Sequence, residues 1–316
     1  MSVATEHIYT LADLKDWPPA KAGLPPGGTA LAVIGHPIAH SLSPVMHNAA
    51  LAELARREKD YLTWKYFRFD VPPEQLPLAL VRLHAAGFIG LNLTVPHKIL
   101  AMDLVKEIDP DARRIGAMNT LRRTATGWHG YNTDGLGLSA ALKVDLGVQL
   151  KGADVVLLGA GGAGRAAAMQ CVLEQCASLW IGNRTYELRE NLAADLNRAY
   201  PSPTNNIQCF SLKTLRLGRE IPGKSIVINA TPLGLKVEDA SPLDLEKISR
   251  PEKVYDMIYN PPQTALLRQA AALGLKHANG LSMLVHQGAR SLEIWTGQSA
   301  PVNTMESAAQ HALATH

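Results

Sequence analysis

Two groups of residues in this 316-residue chain have the types and spacing to do chemistry. The first is the glycine loop of Val155-Val-Leu-Leu-Gly-Ala-Gly-Gly-Ala-Gly-Arg165, where Gly159, Gly161 and Gly164 stand at the spacing of a dinucleotide-binding turn. Ala160, Gly162 and Ala163 complete it. In such a turn the first glycine allows the tight bend, the second lets backbone approach a pyrophosphate, and the third lets helix and strand pack closely. The following helix then offers free N–H groups and a partial positive charge to the phosphates. Glycine-rich turns before buried helices also arise from packing alone. Here a Val-rich strand-like run, the loop and an Ala-rich helical run from Ala166 to Cys176 come in the required order, which favours the nucleotide.

The second group is polar and sits at the ends of short apolar runs. Ser41 and Ser43 flank Leu42 just past Ala30-Leu-Ala-Val-Ile34. A helix cap in front of Pro44 is a sufficient reason for Ser43. Ser41 has no such job, and the two hydroxyls could face a polyhydroxylated ligand. Asn92 and Thr94 lie two apart in a strand-like stretch and so share a face. Lys98 falls in the first turn of the next helix, where a cation is unfavourable; most lysines are merely solvated, but this placement hints at function. Asn119 closes another short strand. Thr133 or Asp134 caps a helix running to Leu146, and capping alone would explain either, while Asn132 and Gly135 suggest a tighter backbone constraint.

The residues just beyond the glycine loop bear on which dinucleotide is held. Ser178-Leu-Trp-Ile-Gly182 reads as a second parallel strand ending in Asn183-Arg184-Thr185. An acid at this place would hold a ribose 2′-hydroxyl and repel a 2′-phosphate. An arginine with a hydroxyl and an amide suits the phosphate, so NADP is favoured over an ordinary strand-end turn with a solvated arginine.

The elements that must position these groups alternate. The chain is 47% hydrophobic and 19% charged with a net charge of +3, ordinary for a globular protein and long enough for two domains. No basic stripe suggests nucleic acid, and no apolar run reaches the roughly 20 residues of a membrane span. The N-terminus lacks an apolar export core, and Cys171, Cys176 and Cys209 are an odd, unclustered set, so a reducing cytoplasm is expected. His36, His40 and His47 are loosely spaced with no Cys or acid cluster, so no metal is expected. Residues 1–28, rich in Pro and Gly, read as a leader or linker with one short helical stretch, Leu11 to Lys15. Strands and helices alternate thereafter, through Ser225–Asn229, Lys253–Met257 and a helix from Gly280 to about Thr296, and 201–206 reads as a surface loop. The fold class is α/β, with two α/β domains, one of Rossmann type, and a cleft between them.

Together these stretches resemble the shikimate dehydrogenase family from about Thr29 onward. The resemblance rests on Ser41-Leu-Ser43-Pro44, Asn92-Leu-Thr94-Val-Pro-His-Lys98, Asn119-Thr120, Asn132-Thr-Asp134-Gly135 and the glycine loop. It continues with Asn183-Arg184-Thr185, Asn229-Ala-Thr231-Pro, Tyr259-Asn-Pro and Gly280 through Gln287. The resemblance implies a substrate domain of 29–133 plus 284–316 and a Rossmann NADP domain of 134–283. It implies hydride transfer between nicotinamide and the carbon bearing the 4-hydroxyl, interconverting shikimate and 3-dehydroshikimate in aromatic amino-acid biosynthesis. Lys98 and Asp134 are then the proton-handling pair. Ser41, Ser43, Asn92, Thr94, Asn119, Tyr259 and Gln287 are placed at the substrate, and Thr231, Met257 and Gly280 at the cofactor beside the loop and Asn183 to Thr185.

The match has departures. The leader is extra, Leu235 stands where the family commonly has methionine, and Leu188 with Arg189 stands where a second basic residue often follows Asn-Arg-Thr. A quinate/shikimate dehydrogenase using NAD or both cofactors is the nearest alternative; Ser43 and Arg184 argue against it, and Glu187 keeps it open. A non-catalytic sensor of a cyclohexene acid shares the fold but has no use for Lys98 and Asp134. The oligomeric state is not set by the sequence, and a homodimer stays open.

Overall fold

The computed structural model describes residues 7–19, 22–201, 206–212, 224–248 and 251–315. The chain divides into two compact units, Met1–Thr133 with Gln287–His316, and Asp134–His286. The second break thus lies inside a helix, where the sequence reading put it at 283/284.

The first unit opens with β1 (Tyr9–Thr10), β2 (Thr29–Gly35), α1 (Ser43–Ala55), β3 (Trp64–Asp70), α2 (Leu76–Ala85) and β4 (Gly90–Leu93). It continues through α3 (His97–Leu100), β5 (Glu107–Ile108), α4 (Pro110–Ile115), β6 (Thr120–Arg123) and β7 (Trp128–Tyr131). They form one sheet in the order β1-β3-β2-β4-β6-β7-β5. Strands β1 to β4 are mutually parallel, and β6 turns the sheet antiparallel against β4 and β7. β2 is buried along nearly its whole length, which is why Thr-Ala-Leu-Ala-Val-Ile-Gly reads as a continuous apolar run rather than an alternating one.

The stretch read as a leader or linker is part of this unit. Tyr9 and Thr10 pair in parallel with Phe69 and Asp70, extending the sheet by a strand. A 3-10 turn over Leu11–Asp16 follows, close to the helical stretch expected there. Trp17 then packs on Phe67, Phe69 and Phe88 with ring centroids 5.0, 5.3 and 5.1 Å apart. Two aromatic residues outweigh the Pro/Gly composition, because each buries far more apolar area than a turn residue leaves exposed. Residues 1–6, 20 and 21 of the leader lie outside the described residues.

The second unit runs α5 (Asp134–Leu146), β8 (Asp154–Leu158), α6 (Gly162–Leu173), β9 (Ser178–Asn183), α7 (Tyr186–Ala199) and β10 (Ile207–Ser211). It goes on through β11 (Ile226–Asn229), β12 (Lys253–Asp256), α8 (Ala265–Ala272) and β13 (Lys276–Ala278). The next helix, α9 (Leu281–Thr296), passes back into the first unit, and α10 (Val302–Ala314) packs on α1 there. The second sheet is parallel throughout, in the order β10-β9-β8-β11-β12-β13. Numbered within the unit this is 3-2-1-4-5-6, the Rossmann order, with β8 at the point from which the strands run both ways. Of the loop expected over 201–206, residues 202–205 lie outside the described residues. α6 stops at Leu173 rather than Cys176, because Gln175 adopts φ 60° and turns the chain out of the helix.

Candidate active site

In the first unit the expected substrate residues collect at one edge of the sheet. β2 and β4 are parallel neighbours in register at Ile34 and Leu93, so the segments that leave their carboxyl ends start side by side. Ser41 and Ser43 lie on the first of these segments, Thr94 and Lys98 on the second. Asn119 enters from the antiparallel β6, its carbonyl accepting from the Leu93 N–H at 2.8 Å and its N–H donating to the Tyr131 carbonyl at 3.0 Å. Gln287 comes from α9 and accepts a hydrogen bond from the Asn119 amide at 3.1 Å.

Two local readings are corrected. Ser43 is the first residue of α1 and Leu42 its N-cap, so Ser43 does not cap the helix. Ser41 has the job denied to it: its Oγ accepts from the Ser43 N–H at 3.3 Å. β4 ends at Leu93, so the alternation linking Asn92 to Thr94 stops one residue short. The Thr94 methyl instead lies over Gly35, where a Cβ would run into it.

Lys98 is half-buried in the single turn α3, which two bonds hold to the sheet. The Lys98 carbonyl accepts from the Met118 N–H at 2.9 Å. Its neighbour His97 is fully buried, and its Nε2–H donates to the Val71 carbonyl at 2.8 Å; burial lowers its pKa. A buried imidazole therefore anchors the turn that carries the lysine.

Behind this edge lies a buried polar network absent from the sequence reading. The Tyr66 hydroxyl donates to Asn92 Oδ1 at 2.7 Å. Asn92 Nδ2 faces the Asn119 carbonyl, Thr120 Oγ1 and Ser291 Oγ at 3.1, 3.2 and 3.0 Å. Ser291 in turn donates to the Gln287 carbonyl at 3.0 Å. The Thr133 N–H donates to Asn119 Oδ1 at 2.8 Å. Asn92 thus has its amide hydrogens on protein acceptors. The only sequence signal for Ser291 is its place one helical turn after Gln287, on the same face. His47 stacks on Tyr66 at 4.3 Å and is fully buried, which pushes its pKa down to about 3. His36 pairs with Asp70 at 2.6 Å and His40 is exposed. Among the described residues no group of three or more His, Cys, Asp or Glu side chains is placed to hold a metal ion.

In the second unit the expected cofactor residues lie at the carboxyl edge of the parallel sheet. Gly159 holds φ 105°, and a Cβ there would meet the Ala230 carbonyl at 2.8 Å. At Gly164 a Cβ would run into the Gly159 carbonyl. Both glycines are thus fixed by the approach of backbone, one across to β11 and one within the loop. Gly161, the N-cap of α6, is different, since a Cβ there would point into open space. A backbone left bare on its open side at a helix start is the cradle a pyrophosphate takes, so the loop fits a dinucleotide. Ala160, Gly162 and Ala163 lie in the same turn.

Asn183 ends β9, and its carbonyl accepts from Arg189 at 3.0 Å while its amide donates to the Thr185 carbonyl at 3.2 Å. Arg189 is folded inward, its guanidinium 5.0 Å from the centre of the Tyr186 ring. Arg184 is exposed and, among the described residues, makes no ion pair. Of the two basic residues, therefore, Arg189 holds the loop and Arg184 faces outward. Arg165, directly after the glycines, is paired with Asp195 of α7 at 2.8 Å.

On the other side of β8, Asp256 is completely buried at the end of β12 and organises the adjoining turns. It accepts from Thr264 Oγ1 at 2.7 Å, Asn229 Nδ2 at 2.9 Å and the Ile258 N–H at 3.1 Å. Burial raises its pKa, against the pull of these donors. Asn229 Oδ1 accepts from the Thr231 N–H and hydroxyl at 2.9 and 2.7 Å. The Met257 backbone lies so close to Gly280 that a Cβ there would run into it, and the Gly280 N–H donates to the Ile258 carbonyl at 3.1 Å. Tyr259 follows, partly buried. Asp134 is buried at the start of α5, and Gly135 gives way to Gln170 and Ala166 of α6. Sequence reasoning missed Asp256, although it sits at a strand end directly before the expected Met257.

Residues 33–121 match the shikimate dehydrogenase substrate binding domain, and 280–310 match the shikimate 5′-dehydrogenase C-terminal domain. A curated relative, the NADP(+) shikimate dehydrogenase of Symbiobacterium thermophilum, is 41% identical over 288 residues, 90% of this chain and 95% of that one. The chain belongs to the shikimate dehydrogenase family. Among solved structures of that family, a shikimate dehydrogenase in complex with NADP+ has a TM-score of 0.82 at 35% identity, covering 92% of this chain and 97% of its own. The Thermus thermophilus shikimate 5-dehydrogenase, with NADP(H) and shikimate, has a TM-score of 0.77 at 38% identity, covering 90% and 100%. Within the family frame, the first unit contains the matched substrate-binding segment, and the glycine loop lies in the other unit.

Proposed function

We propose that the protein reversibly reduces 3-dehydroshikimate to shikimate with NADPH. The reading is carried by one coincidence: in a chain this similar to NADP(+) shikimate dehydrogenases, the residues with chemistry gather at one edge of the sheet in each unit. The dinucleotide supplies the hydride acceptor or donor. The glycine loop from Gly159 to Gly164 holds its pyrophosphate with backbone N–H groups, and Arg184 with Asn183 and Thr185 meets the 2′-phosphate. Thr231, Met257 and Gly280 line the neighbouring strand ends.

The chain's own side chains deal with the proton and with orientation. As a ring carbon gives up hydride, its hydroxyl proton must leave, and the Lys98 amine takes it; in reduction the Lys98 ammonium returns it. Asp134 orients the amine and the hydroxyl. Ser41, Ser43, Thr94, Asn119, Gln287 and Tyr259 hydrogen-bond the remaining hydroxyls and the carboxylate. Asn92 acts from behind, holding Asn119 and the Tyr66 hydroxyl. We place the enzyme in the cytoplasm: the three cysteines are unpaired, and among the described residues no helix is long and apolar enough to cross a membrane.

The test is a rate assay crossing shikimate and quinate with NADP and NAD. Turnover confined to shikimate and NADP is the expected result. Comparable rates with quinate or NAD would assign the chain to the quinate/shikimate class. Shikimate binding without turnover in folded protein would make it a sensor.

A further inference from the structure

The closing turn of α6 sets two cysteines against each other. Past Leu173, Gln175 takes the left-handed conformation, and the Cys176 N–H reaches back to the Cys171 carbonyl at 2.9 Å. The Gln175 N–H meanwhile bonds the Val172 carbonyl at 3.0 Å. This is the Schellman form of a helix end, in which the residue after the left-handed one packs its side chain on the residue five earlier. Usually that contact joins two apolar groups. Here both residues are cysteines, Cys171 buried and Cys176 partly exposed. The reading of both cysteines as core residues within the helix holds for Cys171 alone, since Cys176 lies beyond the helix end and is partly exposed.

We propose that Cys171 and Cys176 are a peroxide-reactive dithiol that closes to a disulfide, with Cys176 attacking and Cys171 resolving. In the first step the Cys176 thiolate attacks one peroxide oxygen. The O–O bond breaks, and the departing hydroxide takes up the thiol proton as water. Cys171 sulfur then attacks the sulfenic sulfur of Cys176, the S–O bond breaks, and the hydroxide leaves as a second water with the Cys171 proton. Two thiols are oxidised by one two-electron reduction of hydrogen peroxide.

The division of roles follows from burial. Cys176 can be reached from solvent, and the neighbouring Cys171 thiol pulls its thiol below the usual range against the effects of burial and Asp154. Cys171 is fully buried, its thiol pushed up, so it meets only the oxidised neighbour. The bond of 2.9 Å from the Cys176 N–H to the Cys171 carbonyl brings the two backbones together, and a disulfide asks for Cα atoms about 4.4–6.8 Å apart. Among the described residues Cys209 has no such neighbour: its S–H donates to the Arg189 carbonyl at 3.5 Å, and burial with Glu190 nearby pushes its thiol to about 11. Cys209 is therefore an internal control.

The readout is covalent, so it stands apart from any turnover assay. Full-length protein is treated with a few equivalents of hydrogen peroxide, alkylated, and examined by intact mass and peptide mapping. The expected result is loss of two hydrogens, a Cys171–Cys176 disulfide reversed by dithiothreitol, and Cys209 oxidised about tenfold more slowly or less. In Cys171→Ala the disulfide is absent and dimedone labels Cys176. If Cys171→Ala does not fold, the wild-type result decides alone. The proposal is overturned if Cys209 reacts as fast as Cys176, if wild-type Cys176 goes on to sulfinic acid without a disulfide, or if neither cysteine is oxidised.

Discussion

The loop that begins at Gly159 and the sheet edge that includes Asn119 are built from different material. In the second unit, glycines only a few residues apart shape a backbone cradle, and Gly159 and Gly164 are each fixed by a nearby carbonyl. In the first, Asn92 and Ser291 meet across 199 residues of chain, and Asn119 and Gln287 across 168. A site made of backbone tolerates many side chains around it but few at the glycines. A site made of carboxamides and hydroxyls depends on each partner being satisfied, because a buried polar group left unpaired is destabilising. The contrast predicts that damage to the second unit acts through shape, and damage to the first through chemistry and hydrogen bonding.

The largest effect is expected at Lys98, where chemistry alone is removed. Lys98→Ala should lower kcat by about 10²–10⁴-fold while NADP(H) binding, measured by fluorescence titration, stays near wild type. Near-normal turnover would remove the lysine from the reaction.

Acid should separate the units next, since their buried titratable groups have opposite signs. Unfolded His47 takes a proton near pH 6.5, and folded His47 only near 3. Through that window the unfolded chain binds more protons, so the first unit loses stability as pH falls, by on the order of 5 kcal/mol across the whole range. His97 acts in the same direction. Asp256 in the second unit has its pKa raised, so the folded form is protonated first and stability there rises as pH falls through the folded pKa. Urea unfolding of Trp180→Phe protein, whose remaining tryptophans all lie in the first unit, should show its midpoint falling between pH 6.5 and 4. His47→Phe, which keeps a ring against Tyr66, should flatten that fall. An unchanged slope would show that His47 is not the group responsible.

Shape should fail in the second unit at Gly164. In Gly164→Ala the added methyl meets the Gly159 carbonyl, and neither backbone segment can yield cheaply. A loss of about 1–3 kcal/mol is expected, with NADP(H) affinity lost and the tryptophan signal of the first unit unchanged. Retained cofactor affinity would mean the loop is looser than its geometry implies.

At Arg184 the second unit does depend on a side chain. Arg184→Ala should raise KM for NADP by about 10–100-fold, the equivalent of about 1.5–3 kcal/mol for hydrogen bonds to a charged group, and leave KM for NAD alone. An equal rise for both would show that Arg184 does not meet the phosphate.

Legibility from sequence follows the same division. The Rossmann half could be read because its determinants are local: a strand, a glycine spacing and a helix in one continuous stretch. Lys98, Thr94 and the serine pair could be placed at strand ends for the same reason. Tyr66, Thr120 and Ser291 could not, because their roles exist only once strands distant in sequence are adjacent. The N-terminal strand was hidden in another way. The Pro and Gly residues that follow it at 18–28 give the stretch its loop character, while its energetics rest on Tyr9 and Trp17, and two residues of strand carry no periodicity.

The smallest effect is expected at Ser291, and it tests the comparison most finely. Its hydroxyl bridges the Gln287 main-chain carbonyl, the Asn92 amide and the Thr120 hydroxyl, behind the side chains of the edge. Ser291→Ala should cost about 1–2 kcal/mol by removing the shortest of the three acceptors around the Asn92 amide and the Thr120 hydroxyl's bond to Ser291 at 2.7 Å. A purely structural role would stop there. If the network positions the edge, KM for shikimate rises while kcat and KM for NADP do not, because Gln287 and Asn119 lose their common support. Ser291→Thr, which retains the hydroxyl, should restore KM before it restores stability, since the extra methyl must still be packed. In a cycle with Asn92→Ala, a coupling energy above about 0.5 kcal/mol is expected, because both changes remove the same bond. Additive losses would mean that Asn92 and Ser291 act separately. The first unit's edge would then be held residue by residue, much as the glycine loop is, and not as a network.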